Sequence, residues 1–151
     1  MGEIREKAVQ ALRRLGEAEA KALAAKAVNG EADGTALIAQ EKKIPTWRPR
    51  DFSQVPVGAP YRWQGQVYKL WQQHDASGNE GWSPDQAVSL WDICHTRDPA
   101  RAKPYVPPQG SRGLWQSGEC CLWEGAVMRC LADDTAYSPG ELPGAWEAAA
   151  P

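Results

Sequence analysis

One supersecondary unit is written twice in this chain, and that repetition limits the fold more than any other feature. In the first copy, residues 61–71 read YRWQGQVYKLW, two short aromatic and β-branched runs on either side of Gln64-Gly65. Such a break predicts a β-hairpin, with Gly65 taking the positive φ of a tight turn. Trp63 then faces Gln66, Arg62 faces Val67 and Tyr61 faces Tyr68. Side-chain alternation puts Tyr61, Trp63 and Tyr68 on one face and Val67, Lys69 and Trp71 on the other. A polar loop, a Gly81-Trp82-Ser83-Pro84 corner and a closing Leu90-Trp91 complete the unit. In the second copy, Trp123 falls on Trp63, Gly125 on Gly65, Val127 on Val67, Met128 on Tyr68 and Arg129 on Lys69. After a shorter loop, Tyr137-Ser138-Pro139 falls on Trp82-Ser83-Pro84 and Trp146 on Trp91, while Ser117-Gly118 answers Val57-Gly58. One small unit made twice is the expectation.

The N-terminal segment is of another kind. Residues 3–29 contain no Pro and are rich in Ala, Leu, Glu, Lys and Arg, all strong helix formers. Ile4, Ala8, Ala11, Leu15, Ala18, Ala22 and Ala25 recur at steps of four and three, an alanine-rich heptad seam. Asn29-Gly30 supplies a C-cap signal. Such a helix either lies on the protein's own core or self-associates or docks on a larger assembly. So small a β portion favours the second. The chain thus divides into a helix at 1–30, a linker at 31–46 with a short apolar patch at Thr35–Ala39, and a first module at 47–95. A Pro-rich spacer at 96–110 and a second module at 111–151 follow. The predicted fold class is mainly β: two three-stranded antiparallel modules in tandem after a coiled-coil-like helix.

The order Gly65, Tyr68-Lys69, Gln72, His74, Gly81-Trp82, Pro84 and Leu90-Trp91 resembles the small carbohydrate-binding modules appended to chitinases (families 5 and 12). With Trp47 as opening aromatic and Val57-Gly58 before the first strand, the resemblance covers about 47–93. It implies that Trp82 is an exposed platform on which an N-acetylglucosamine ring stacks, since the C–H faces of a sugar suit the π face of indole. The alternative for Trp82 is that it covers the small core. Trp71 is either a second stacking surface or a contact for the linker. Gln72 and His74 either tie down the 75–81 loop or donate to a sugar hydroxyl. Tyr137 is the second copy's counterpart of Trp82, but there the Gln and His positions hold Ala132 and Asp134. Trp91 and Trp146 are expected in the core.

Eight Trp beside a single Phe favours stacking and edge hydrogen bonding over plain apolar filling. A formal charge of −2 and the lack of a basic stretch argue against nucleic acid. No apolar run approaches a membrane span of about 20 residues, and MGEIREKAVQ lacks the apolar core of a secretory signal. No nucleophile–base set, carboxylate pair or phosphate loop stands out, so no enzymatic activity, catalytic residue or cofactor is expected. Cys94, Cys120, Cys121 and Cys130 lack metal-site spacing, and no metal is expected. They are read as buried small hydrophobes or a late disulfide, with free thiols as the default. The layout of helix, linker and two modules is similar to short bacteriophage structural proteins. That likeness implies a virion protein, tail or capsid, carrying glycan-binding modules and attached to other virion proteins through its helix. A homotrimer is expected. The alternative is a purely structural decoration protein that keeps the modules without sugar binding.

Overall fold

The computed structural model describes residues 2–151. Helix α1 (Gly2–Val28) ends where the sequence places its cap. Gly30 takes φ +76°, Glu31 N–H bonds back to Lys26 O at 2.8 Å, and Gly30 N–H to Ala27 O at 3.2 Å. These paired bonds are a Schellman motif, which satisfies carbonyls that the helix end would otherwise leave open.

The first sheet joins β1 (Pro60–Trp63), β2 (Gln66–Leu70) and β3 (Trp91–Ile93), antiparallel and in that order. Its register is the predicted one, with Trp63 opposite Gln66, Arg62 opposite Val67 and Tyr61 opposite Tyr68. In the second sheet, β5 (Cys120–Trp123), β6 (Ala126–Cys130) and β7 (Trp146–Ala148) repeat this arrangement. Both hairpins turn through two residues of positive φ, Gln64-Gly65 at 47° and 79° and Glu124-Gly125 at 48° and 80°. This pair of values marks the I′ turn, whose twist matches that of its strands. The structure is therefore a long N-terminal helix followed by two small, mainly antiparallel sheets.

Two boundaries differ from the sequence reading. The presumed spacer 96–110 supplies β4 (Lys103–Pro104), which pairs parallel with β5 and makes the second sheet four-stranded. Tyr105 N–H then bonds Leu122 O, as Trp47 N–H bonds Arg62 O in the first module. Each aromatic stands edge-on to the hairpin tryptophan: Trp47 to Trp63 at 5.0 Å, Tyr105 to Trp123 at 5.5 Å. Tyr105 is therefore the second module's opening aromatic, and the repeat is more complete than its letters indicate.

The presumed linker 31–46 is likewise part of the core. Asp33 caps α2 (Gly34–Ala39) by accepting from Ala36 N–H at 2.9 Å. Leu37 and Ile38 are fully buried with Leu23, Ala27, Ala32, Ile44, Val67 and Cys94. This cluster covers the Val67 face of the first sheet, so the sheet has a core on each side. Gly34 is required there, because a Cβ would stand 2.3 Å from the His95 carbonyl oxygen.

Only the C-terminal part of α1 takes part in this packing. Leu23 and Ala27 are buried, whereas Ile4 and Leu12 are 72% and 69% exposed. Leu23 and Ala27 face about 130° away from the centre of the heptad seam at 3.6 residues per turn. The seam residues Ile4, Ala8, Ala11, Leu15, Ala18, Ala22 and Ala25 are all exposed.

Candidate functional site

The first module's aromatic core is a chain of edge-on contacts. Phe52 meets Tyr61 at 5.2 Å and Trp91 at 5.2 Å, and Tyr61 meets Trp91 at 5.6 Å. Edge-to-face contact satisfies the ring quadrupoles and fixes each ring. Trp91 is a core residue, as expected, and Tyr68 packs in the same cluster. Burial, then the nearby Asp85 carboxylate, pushes the Tyr68 phenol up to about 12.

His74 lies on this core, 5.3 Å from Phe52 and 5.8 Å from Trp91. Its Nδ1 donates to the Gln72 carbonyl at 2.8 Å, which leaves the ring lone pair at Nε2. Nε2 is itself buried and has no partner among the described residues. The sequence reading allowed His74 either to tie down the 75–81 loop or to donate to a sugar hydroxyl, and in this conformation its Nδ1 is engaged by Gln72 O. His74 also lies beside Trp82, with ring centroids 6.3 Å apart and planes inclined at 47°. Gln72 is exposed. The residue that ties this region down is Gln73, whose amide donates to Val55 O at 2.8 Å.

Trp82 ends a short 3-10 turn, Glu80–Trp82, and is 43% exposed. The corner that follows is rigid: Ser83 and Pro84 are buried, and Ser83 O accepts from both Gln86 and Ala87 N–H. Asp85 closes it by accepting from the Ser83 hydroxyl and from Trp63 Nε1, the latter at 3.0 Å. A large indole thus stands half out of a corner that cannot easily relax around it.

Trp71 is 49% exposed. The Arg112 guanidinium lies over its ring, 5.1 Å from the centroid, a cation–π contact. Arg112 is held by three further bonds, to Asp92 Oδ1 at 2.8 Å, Val88 O at 2.9 Å and Trp91 O at 3.3 Å. It fastens the start of the second module onto the first. No sequence signal marks Arg112 or the bond from Trp63 to Asp85, since these partners lie 20 or more residues apart. Tyr105 could have been found, because the 60-residue offset from Gly58 to Gly118 places the counterpart of Trp47 two residues from it.

In the second module Tyr137 occupies the corner and is 55% exposed. Its carbonyl accepts from Trp146 Nε1 at 3.0 Å. No histidine supports it: Asp134 is bonded to Gln116 through both backbone and side chain. Leu131 takes the place of Trp71.

The modules are joined by His95, whose ring stacks on Trp115 at 3.5 Å and 17° and whose Nε2 donates to Gly113 O at 3.1 Å. Burial pulls the His95 pKa down to about 4. All four cysteines are free and buried, and burial pushes the Cys94 and Cys121 thiols up to about 12. Among the described residues, no group of three or more His, Cys, Asp or Glu side chains could hold a metal ion. No helix there is long and apolar enough to cross a membrane. Neither a known protein family nor a curated protein matches this chain.

Proposed function

We propose that this chain is a non-catalytic glycan-binding protein of a virion, tail or capsid, whose first module binds sugar rings by stacking on Trp82. The observation that carries this reading is the contrast at Trp82. Trp47 and Trp91 are buried as a core requires, while Trp82 stands half exposed on a rigid corner with His74 beside it. An apolar ring held in place at the surface loses little entropy on binding, which suits weak contact with a flat C–H face. Gln72, also exposed, offers an amide for hydrogen bonds to a hydroxyl. A single stacking site implies affinity on the order of micromolar to millimolar, so useful adhesion needs several copies held together. The exposed heptad seam of α1 is the means: it brings copies together, three in our reading, or seats them on other virion proteins.

The decisive experiment is retention of the full chain on insoluble chitin and on peptidoglycan, beside Trp82→Ala. Retention of the native chain and its loss in the variant, with an unchanged circular dichroism spectrum, is the expected result. Equal retention of both proteins would remove Trp82 from the site.

One observation favours a structural decoration protein instead. The modules are fastened by Arg112 and by the His95–Trp115 stack rather than left free to reach separate sugars. No retention of the native chain on any β-1,4-linked glycan would select that reading.

A further inference from the structure

Where α1 leaves the body it opens a groove of about 990 Å³, with α1 on one side and the 42–45 segment and Arg62 on the other. Its floor is apolar: Ala20 and Ala24 on the helix and Pro45 on the opposite segment line it, with the buried Ile44 beneath. The same helical face continues toward the N-terminus as Gly16, Leu12 and Val9, and all three are exposed. Its rim is basic. Arg13, Arg14 and Lys21 stand along the helix, and Lys42 and Arg62 stand on the opposite wall. Arg62 is fixed there by its Nε, which donates to Ile44 O at 2.6 Å. Of the nearby acids, Glu19 is paired with Lys43 at 3.5 Å, which leaves Glu17 to face five cations. Arg13, Arg14, Lys21 and Lys42 make no ion pair among the described residues.

We infer that this groove is a docking site for an acidic amphipathic helix of a partner protein. Small residues on the α1 wall let a second helix approach closely, and the apolar floor matches that helix's apolar face. The unopposed cations select acidic flanks and steer the encounter. Nucleic acid fits less well, because the floor has no aromatic ring for a base to stack on. A second copy of α1 fits poorly too. Its segment over residues 13–26 carries four cations, Arg13, Arg14, Lys21 and Lys26, against Glu17 and Glu19. The helix residues at the groove's base, Ala20 and Ala24, lie on the far side of the helix from the heptad seam, while Ala18 of the seam lines the groove's edge.

The test uses the full chain and a fluorescent amphipathic peptide of about 18 residues with Leu and Ala on one face and Glu on its flanks. Its twin carrying Lys for Glu and a mixed-sequence single-stranded DNA serve as competitors. Fluorescence anisotropy at low salt is expected to give roughly tenfold tighter binding for the Glu peptide than for its twin, narrowing as salt rises. Arg14→Glu with Lys42→Glu, both at exposed positions, should abolish that preference without changing the circular dichroism spectrum. Ala20→Trp, which fills the floor, should weaken binding of the Glu peptide as well. Equal or absent binding of the two peptides would overturn the inference, as would tighter binding of the DNA. So would a concentration-dependent dimer in sedimentation that the double variant abolishes, because the groove would then belong to a second copy. Glycan retention is not a readout here, so this inference and the function proposed above can fail separately.

Discussion

The two modules share a backbone and differ in how they fill it. Their hairpin turns agree within a degree in φ, and each closes with a tryptophan opposite the end of the central strand, Trp91 opposite Leu70 and Trp146 opposite Cys130. Inside, the first module uses large strand residues, Tyr61 and Tyr68, around a modest Phe52. The second has Cys121 and Met128 at the matching strand positions and a larger Trp115 in the part of Phe52, with Tyr105 stacked on it at 5.5 Å. Volume removed from the strands returns on the loops, as a close-packed interior requires. Hydrogen bonding differs in step. Among the described residues, the buried indole nitrogens of Trp47 and Trp91 have no partner, whereas Trp115 and Trp146 donate to Val106 O and Tyr137 O. Leaving a buried donor unpaired costs about 1–3 kcal/mol. The first module, which carries Trp82, is the less completely satisfied one: Trp47 Nε1, Trp91 Nε1 and His74 Nε2 are buried without a partner there, against the Tyr105 hydroxyl alone in the second.

If that comparison holds, the largest effect belongs to the tryptophan that serves both units. Trp115→Ala should cost about 4 kcal/mol, the range for deleting a buried aromatic. Because Trp115 also stacks on His95, hydrogen-exchange protection should fall in both sheets. Phe52→Ala should cost a similar amount but expose β1–β3 alone. Undisturbed protection of β1–β3 in Trp115→Ala would show that the units are independent.

Acid should act next. His95 is held at about 4 in the folded chain against about 6.5 when unfolded, so its depressed value favours folding above pH 6.5. That stability, about 3 kcal/mol, is lost as pH falls from 6.5 toward 4. Glu119, raised by burial, acts in the opposite sense, so the control is His95→Phe, which keeps a ring on Trp115 but cannot titrate. Urea midpoints between pH 7 and 4 should fall steeply in the native chain and less in the variant.

Arg112→Ala should cost about 2 kcal/mol, since it removes a partly buried, charge-assisted clasp. It should also uncover Trp71, read out as stronger acrylamide quenching. Unchanged quenching would mean that the clasp does not cover that ring.

The smallest effect concerns the corners. Trp82→Ala should weaken glycan retention about tenfold, or about 1.4 kcal/mol, and Tyr137→Ala by less than about twofold. A larger loss from Tyr137→Ala would reverse the assignment of binding to the first module.

The local rules of the chain determined a good deal. Gln64-Gly65 and Glu124-Gly125 admit few turns, alternation sets which residues face each other, and Asn29-Gly30 ends α1, so register, turns and helix boundary could be read directly. The corner at Trp82 was equally legible, because Ser-Pro after an aromatic breaks any ladder. Only the tertiary structure decided what covers what. Val67 is buried under α2, a two-residue β4 completes the second sheet, and Arg112 reaches the face of Trp71. Each of these rests on partners far apart in the chain or on an element too short to have a period. Alternation says that a side chain leaves a strand on a given face, but not which distant segment meets it there. That choice is made by the whole core closing at once, when buried area and satisfied hydrogen bonds are settled together.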